Sequence, residues 1–237
     1  MWGREVNGLV LRFHLAGINN QNFLMRDDQT GTYWQQVSGR AIAGPLAGQS
    51  LKLIPTDELT LALWKAEEPG GSILKDVPDS ISKYAKPDWD LKMKKEPAVL
   101  SYPEHGLVSR DLMLGAQAFN EARAWPMDRV ISEKLIKDRI GGHPVLLVVG
   151  SDNKSVRAFR TPVSSDFYRV NPPLANPPSA NGSLMIDSAT GSEWNFQGCA
   201  ISGASKGNCL ERIGLIADYW FAWRNHNPAT TVYSGPR

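Results

Sequence analysis

The sequence is short of several things, and each shortage closes off a class of function. It has two cysteines in 237 residues, too few for a fold built on disulfides. Their ten-residue spacing, Cys199 to Cys209, matches no zinc or dithiol motif. Neither charge sign is in excess: 26 Lys and Arg against 24 Asp and Glu leave a net +2. Phosphate recognition needs a basic stripe, so no nucleic-acid partner is expected. No apolar run reaches the roughly 18 residues of a membrane span. The four histidines, His14, His105, His143 and His226, form no His-x-His or His-x-x-x-His pair. Gly-x-Gly-x-x-Gly and Walker patterns are absent. Met1-Trp2-Gly3-Arg4-Glu5 has neither the charged nor the apolar region of an export signal.

What is present is ample apolar material, 42% of a chain long enough to bury a core, and an internal repeat. Leu24-Met25-x-Asp27-x-x-Thr30-Gly31-x-x-Trp34 recurs as Leu184-Met185-x-Asp187-x-x-Thr190-Gly191-x-x-Trp194, an offset of 160. A one-residue deletion then changes the offset to 159. Gly39, Ala41, Ile42, Gly44, Gly48 and Leu51 match Gly198, Ala200, Ile201, Gly203, Gly207 and Leu210, and Trp64 and Pro69 match Trp223 and Pro228. Fourteen identities with a single gap read as duplication of one structural unit.

Each copy reads as β-hairpins followed by a helix. Leu9, Leu11, Phe13 and Leu15 alternate with Val10, Arg12 and His14, a period of two that predicts one strand. Asp27-Asp28-Gln29-Thr30-Gly31 is turn chemistry, with the Asp27 carboxylate placed to accept backbone N–H groups. Thr56-Asp57-Glu58 is expected to cap a helix running through Trp64 and Lys65, and Leu215–Arg224 is the helix expected in the second copy. Ile131–Lys137 reads as a short helix, with Asp138-Arg139-Ile140-Gly141-Gly142 a turn before the buried strand Val145–Val149 and the strand Val156–Phe159. The first copy starts at Trp2 with no room for the earlier of these strands. The alternative is a naturally shorter unit; the expectation is an incomplete N-terminus, which leaves the compartment undetermined and an extracytoplasmic one open. The loop Asn171–Gly182, with Pro172, Pro173, Pro177 and Pro178, reads as irregular or polyproline-like.

The expected fold is therefore mainly β with short helices: two homologous β-rich units packed as one pseudosymmetric body. The boundaries are 1–74, a Lys- and Pro-rich connector 75–129, and 130–237. Units of about 70 residues are marginal alone, which favours a shared core.

The strings Phe23-Leu24-Met25-Arg26-Asp27, Gly39-Arg40-Ala41-Ile42 with Gly44-Pro45-Leu46, and Tyr219-Trp220-Phe221 with Trp223-Arg224 resemble the domain-of-unknown-function family numbered 3179. The resemblance covers nearly the whole chain. It implies bacterial or archaeal relatives and no assigned activity. It also implies a Cys-Pro-x-Cys segment ahead of the Leu9–Leu15 strand, which this sequence lacks, so the likeliest metal or redox ligands of such a family are missing here.

Three readings of function follow. The leading one is a binding or structural module with a cleft between the units. The second is hydrolase-like, with Asp27 and Asp187 sharing a proton as acid and base, although a structural role in the turns is preferred for both. The third is a metal or redox protein whose cysteine ligands lie outside this chain. Trp34, Trp194, Trp64 and Trp223 are read as equivalent core positions. Trp220, Trp223 and Arg40 are the candidate ligand-binding residues, the two indoles as part of an aromatic cleft. Gly203-Ala204-Ser205-Lys206-Gly207 outlines a nucleophile elbow, but the first copy has Leu46 where the serine stands, and a β turn is expected instead. The cysteines are read first as two unlinked small apolar residues in adjacent strands, second as a short-loop disulfide. The ligand, partner, cofactor and oligomeric state are unknown from these motifs, and no metal site is assigned.

Overall fold

The computed structural model describes residues 1–170 and 182–235. The chain is mainly β, in several small sheets with a few short helices. It opens with a hairpin, Glu5–Val6 against Leu9–Val10, turned by Asn7 and Gly8 at positive φ. A four-stranded antiparallel meander follows: Phe13–Asn19, Asn22–Asp27, Tyr33–Gln35 and Ala41–Ala43. Its core is Trp34, Leu11, Val6, Ala41 and Leu51, with Trp2, Phe13 and Met25 packed against it.

The second half is larger. Strands Leu135–Ile140, His143–Val149, Val156–Arg160 and Glu211–Ile213 form one antiparallel sheet. His143–Val149 lies inside it and reads as an apolar run because both of its faces are covered. Val145, Leu147 and Val149 join Trp125, Val130 and Ile136 on one side. Leu146 and Val148 join Phe159, Phe167, Met185 and Trp194 on the other. A three-stranded sheet, Phe167–Arg169, Met185–Asp187 and Glu193–Trp194, carries the latter group. A further sheet orders Ile216–Tyr219, Leu112–Ala118, Glu121–Pro126 and Thr231–Val232, the last pair parallel.

Several sequence expectations shift. The alternating stretch is two strands, Leu9–Val10 and Phe13–Asn19, because the chain leaves the opening hairpin and joins the meander; Leu11 is buried and Leu15 is 62% exposed. The first helix begins later, at Leu61–Glu67, capped by Thr60, whose Oγ1 accepts the Leu63 N–H. Asp57 is unavailable as a cap because Arg157 and Arg212 claim it. In the second half, Leu215–Arg224 splits into the strand Ile216–Tyr219 and the helix Trp220–His226. The strand forms because Leu112–Ala118 offers an edge, and that pairing overrides local preference. The helix expected over Ile131–Lys137 is Met127–Glu133; Lys134, at φ +64°, ends it, and Leu135 starts a strand that continues through Ile140.

Residues 75–129 hold a 3₁₀ turn, Pro78–Lys83, a short helix, Trp89–Met93, and the strands Leu112–Ala118 and Glu121–Pro126, which pair with Ile216–Tyr219 and Thr231–Val232. Of the proline loop Asn171–Gly182, all but the last residue lies outside the described residues.

Candidate functional site

The two aspartate turns hold their carboxylates in the same way. Asp27 Oδ2 accepts Trp34 Nε1–H at 2.8 Å, and Asp27 Oδ1 accepts the Thr30 N–H at 2.6 Å. Asp187 Oδ2 accepts Trp194 Nε1–H at 2.9 Å, and its Oδ1 the Thr190 N–H at 2.6 Å. Both residues are nearly fully buried. Burial alone would raise each carboxyl pKa, but the indole, hydroxyl and backbone donors outweigh it and hold both below the ordinary value. Phe13 meets Trp34 edge-on at 5.9 Å, and Phe167 meets Trp194 at 5.5 Å.

The match continues along the chain. Arg40 bridges Ser50, and Cys199 bridges Cys209. The Gly39 and Gly198 backbones lie at positive φ, where a Cβ would strike the ring of Trp2 or of Phe159. Trp2 bridges Leu53, and Phe159 pairs with Arg212. The helices Leu61–Glu67 and Trp220–His226 share the 159 offset, and each ends with a backbone N–H returned to the carbonyl of its tryptophan, Trp64 or Trp223.

Each helix reaches across to the other half. Leu63, 0% exposed, packs with Leu146 and Phe159. Glu67 and Asp57 both bind Arg157, which is 4% exposed and lies over the Phe196 ring. In the opposite direction, His226 Nε2 lies 3.1 Å from Gln35 Nε2. Burial pulls the His226 pKa down, so the neutral ring accepts the Gln35 amide, and Gln35 Oε1 stays buried without a hydrogen bond.

Along this seam runs a cleft of about 320 Å³. Trp2, Asn22, Gln36, Leu53 and Glu58 line it from the first half, and Ile216 and Asp218 from the second. Asp218 sits on the edge strand Ile216–Tyr219, opposite Met113. Its carboxylate accepts the Tyr219 backbone N–H at 2.8 Å. Burial pushes its pKa up to about 6, only partly offset by that bond.

The sites expected from sequence fall elsewhere. Trp220 and Trp223 are 0% exposed, packed on Met113 and Ala124, with their indole N–H groups bound to the Tyr102 carbonyl and Thr230 Oγ1. Neither presents a face to a ligand in this conformation. Arg40 is exposed at its β-bridge. Trp64 is only half-buried, unlike Trp34, Trp194 and Trp223, because its helix turns Leu63 inward. Every hydrogen bond of Asp27 and of Asp187 stays within its own turn. Ser205 lies in a turn, its N–H on Ser192 Oγ. Among the described residues, no three His, Cys, Asp or Glu side chains gather as a metal site, and no helix is long and apolar enough to cross a membrane.

The preferred reading of the cysteines is overturned: Cys199 and Cys209 are disulfide-bonded, because facing positions of an antiparallel bridge bring their Cα atoms to 4.0 Å. The same bridge closes in the first half with Arg40 and Ser50. A Cys199→Ser, Cys209→Ser pair should therefore fold and lose about 2–3 kcal/mol, the loop-closure value for so short a loop. A urea midpoint with and without a dithiol checks this.

Arg157, Gln35 and Asp218 escaped the sequence reading. One signal was available: at the 159 offset, Asp218 aligns with Leu59, a carboxylate against an apolar residue.

The fold is mainly β, and its candidate site is the cleft that Trp2, Gln36 and Glu58 line together with Ile216 and Asp218. The family described as "Protein of unknown function (DUF3179)" matches residues 1–230, and the chain belongs to it. No curated protein and no solved structure matches the chain.

Proposed function

We propose that this protein is a ligand-binding module made of two copies of one β-rich unit, and that it takes a small polar ligand in the seam cleft at Asp218. The first copy ends near residue 74, and the second takes in the strands from Leu112 onward. The fourteen identities and the matched turns, bridges and helix caps support the duplication. The observation that carries the binding site is the Asp218 carboxylate itself. It lies in a cleft lined from both halves, with one hydrogen bond to its own neighbour's backbone; no Lys, Arg or His is among the lining residues, and the amino group of Met1, which also lines the cleft, is engaged by Thr56 Oγ1. A group so placed is costly to ionise unless a donor arrives. With Glu58 and Trp2 also in its lining, the cleft suits a small molecule that brings N–H or O–H donors, an amine above all.

Binding tests the reading. Small amines and polyols, added one at a time, should raise the melting temperature of the wild type, and Asp218→Asn should abolish the shift. A shift that survives in Asp218→Asn, or no shift with any amine or polyol, contradicts it. The variant has its own signature. The fold favours the protonated acid, so the stability it gives is complete below about pH 4 and is lost as pH rises through about 6. Asp218→Asn should therefore exceed the wild type by up to about 3 kcal/mol at pH 8 and match it at pH 4, by urea denaturation.

A further inference from the structure

The meander of the first half carries an apolar face that is left exposed among the described residues. Residues opposite one another on paired strands share a face. Leu15 faces Met25, and Ile18 faces Phe23, on the side that also holds Phe13 and Trp34. Leu15 is 62% exposed, Ile18 71% and Phe23 53%. Val6 and Leu11 of the opening hairpin cover only the Trp34 end.

The second half shows what covers such a face. Phe167 pairs with Asp187 and Arg169 with Met185, the register of Phe13 with Asp27 and Leu15 with Met25. There Leu146 and Val148 pack on Phe167, Met185 and Trp194, and Met185 is 0% exposed. These residues belong to the hairpin Leu135–Ile140 and His143–Val149. The hairpin fastens itself by Lys137 to Asp166, and Arg169 binds the carbonyls of Lys134 and Val149. Asp166 accepts the Ser188 N–H through its carbonyl, as Arg12 accepts that of Asp28. Thus an exposed Arg12 stands in the first half where the second has Asp166.

We propose that the Leu15, Ile18 and Phe23 face binds an antiparallel β-hairpin of a separate polypeptide. The hairpin is aliphatic at alternate positions and carries an acidic residue opposite Arg12. It sits as residues 135–149 sit on the second half. The proposal rests on the duplication reading above. Its charge preference follows from the exchange of Asp166 for Arg12: a lysine hairpin suits one half, and an acidic one the other.

The probe is a synthetic peptide of residues 135–149 carrying Lys137→Glu, added to the full chain and followed by titration calorimetry. Saturable binding is expected. Leu15→Asp and Phe23→Asp should each weaken it by about tenfold or more, because a carboxylate is then buried against aliphatic groups. Arg12→Glu should reverse the preference, so that the unaltered Lys137 peptide binds better. These positions are exposed, so melting temperatures should confirm that each variant is folded. Absence of saturable binding overturns the proposal. So does binding indifferent to Leu15→Asp and Phe23→Asp, or a wild-type dimer in sedimentation that Leu15→Asp dissolves, since a second copy is then the occupant. The duplication is tested separately through Asp27 and Asp187, so the two failures are distinguishable.

Discussion

Arg157→Ala is expected to cost about 3–5 kcal/mol, the range for removing one partner of a buried ion pair. Asp57 and Glu67 come from the first half, Arg157 from the strand Val156–Arg160 of the second. Its guanidinium makes four hydrogen bonds to the two carboxylates. Burial alone would lower the Arg157 pKa, but both carboxylates raise it, so the cation is held firmly. Without it, Glu67, whose side chain is 5% exposed, keeps its charge and loses the one salt-bridge partner it has among the described residues. The loss comes from the charge left behind, so a compensated variant separates pairing from packing. Arg157→Met with Asp57→Leu and Glu67→Met should recover most of the stability, since apolar replacement of a whole buried network is often neutral or better. Urea midpoints at pH 7 measure both. A loss under about 1 kcal/mol for Arg157→Ala would mean that the seam does not depend on this network.

Asp27→Ala and Asp187→Ala should each cost about 3 kcal/mol or more, and by similar amounts. Each substitution strands a buried indole N–H, a backbone N–H and a threonine hydroxyl, and each unsatisfied donor costs about 1–3 kcal/mol. The asparagine variants keep an acceptor and lose less. The lowered carboxylate pKa values add a pH signature with a definite sign. The stability they contribute is present above about pH 4 and fades as pH falls through their lowered range. Acid should therefore weaken the wild type more than either variant. Costs that differ by several kcal/mol between the two positions would count against duplication.

The sequence announced the turns because their chemistry is local. Asp, Thr and Gly within five residues, with Trp seven on, satisfy one another, and the same set stands at both turns. The strand Val145–Val149 was legible because a run covered on both faces has no polar position to interrupt it. The strand Ile216–Tyr219 was not, because its partner Leu112–Ala118 lies a hundred residues earlier and no local pattern encodes that edge. The helix start at Leu61 was missed for a related reason: Asp57, the better local cap, is recruited across the seam by Arg157. The candidate site was the least legible part. Asp218 meets Gln36 and Trp2 only through tertiary packing, and the aromatic cluster at Trp220 and Trp223, the most conspicuous in the sequence, went into the core.

The central claim is that two matching halves form one cooperative body whose seam makes the cleft. Hydrogen exchange of two indole N–H groups tests it most directly, because Trp34 Nε1–H and Trp194 Nε1–H are buried in equivalent bonds, one in each half. The account predicts that both exchange only through global opening, with the same free energy and the same urea dependence. Exchange of one indole while the other stays protected would show halves that open independently, and would contradict the account.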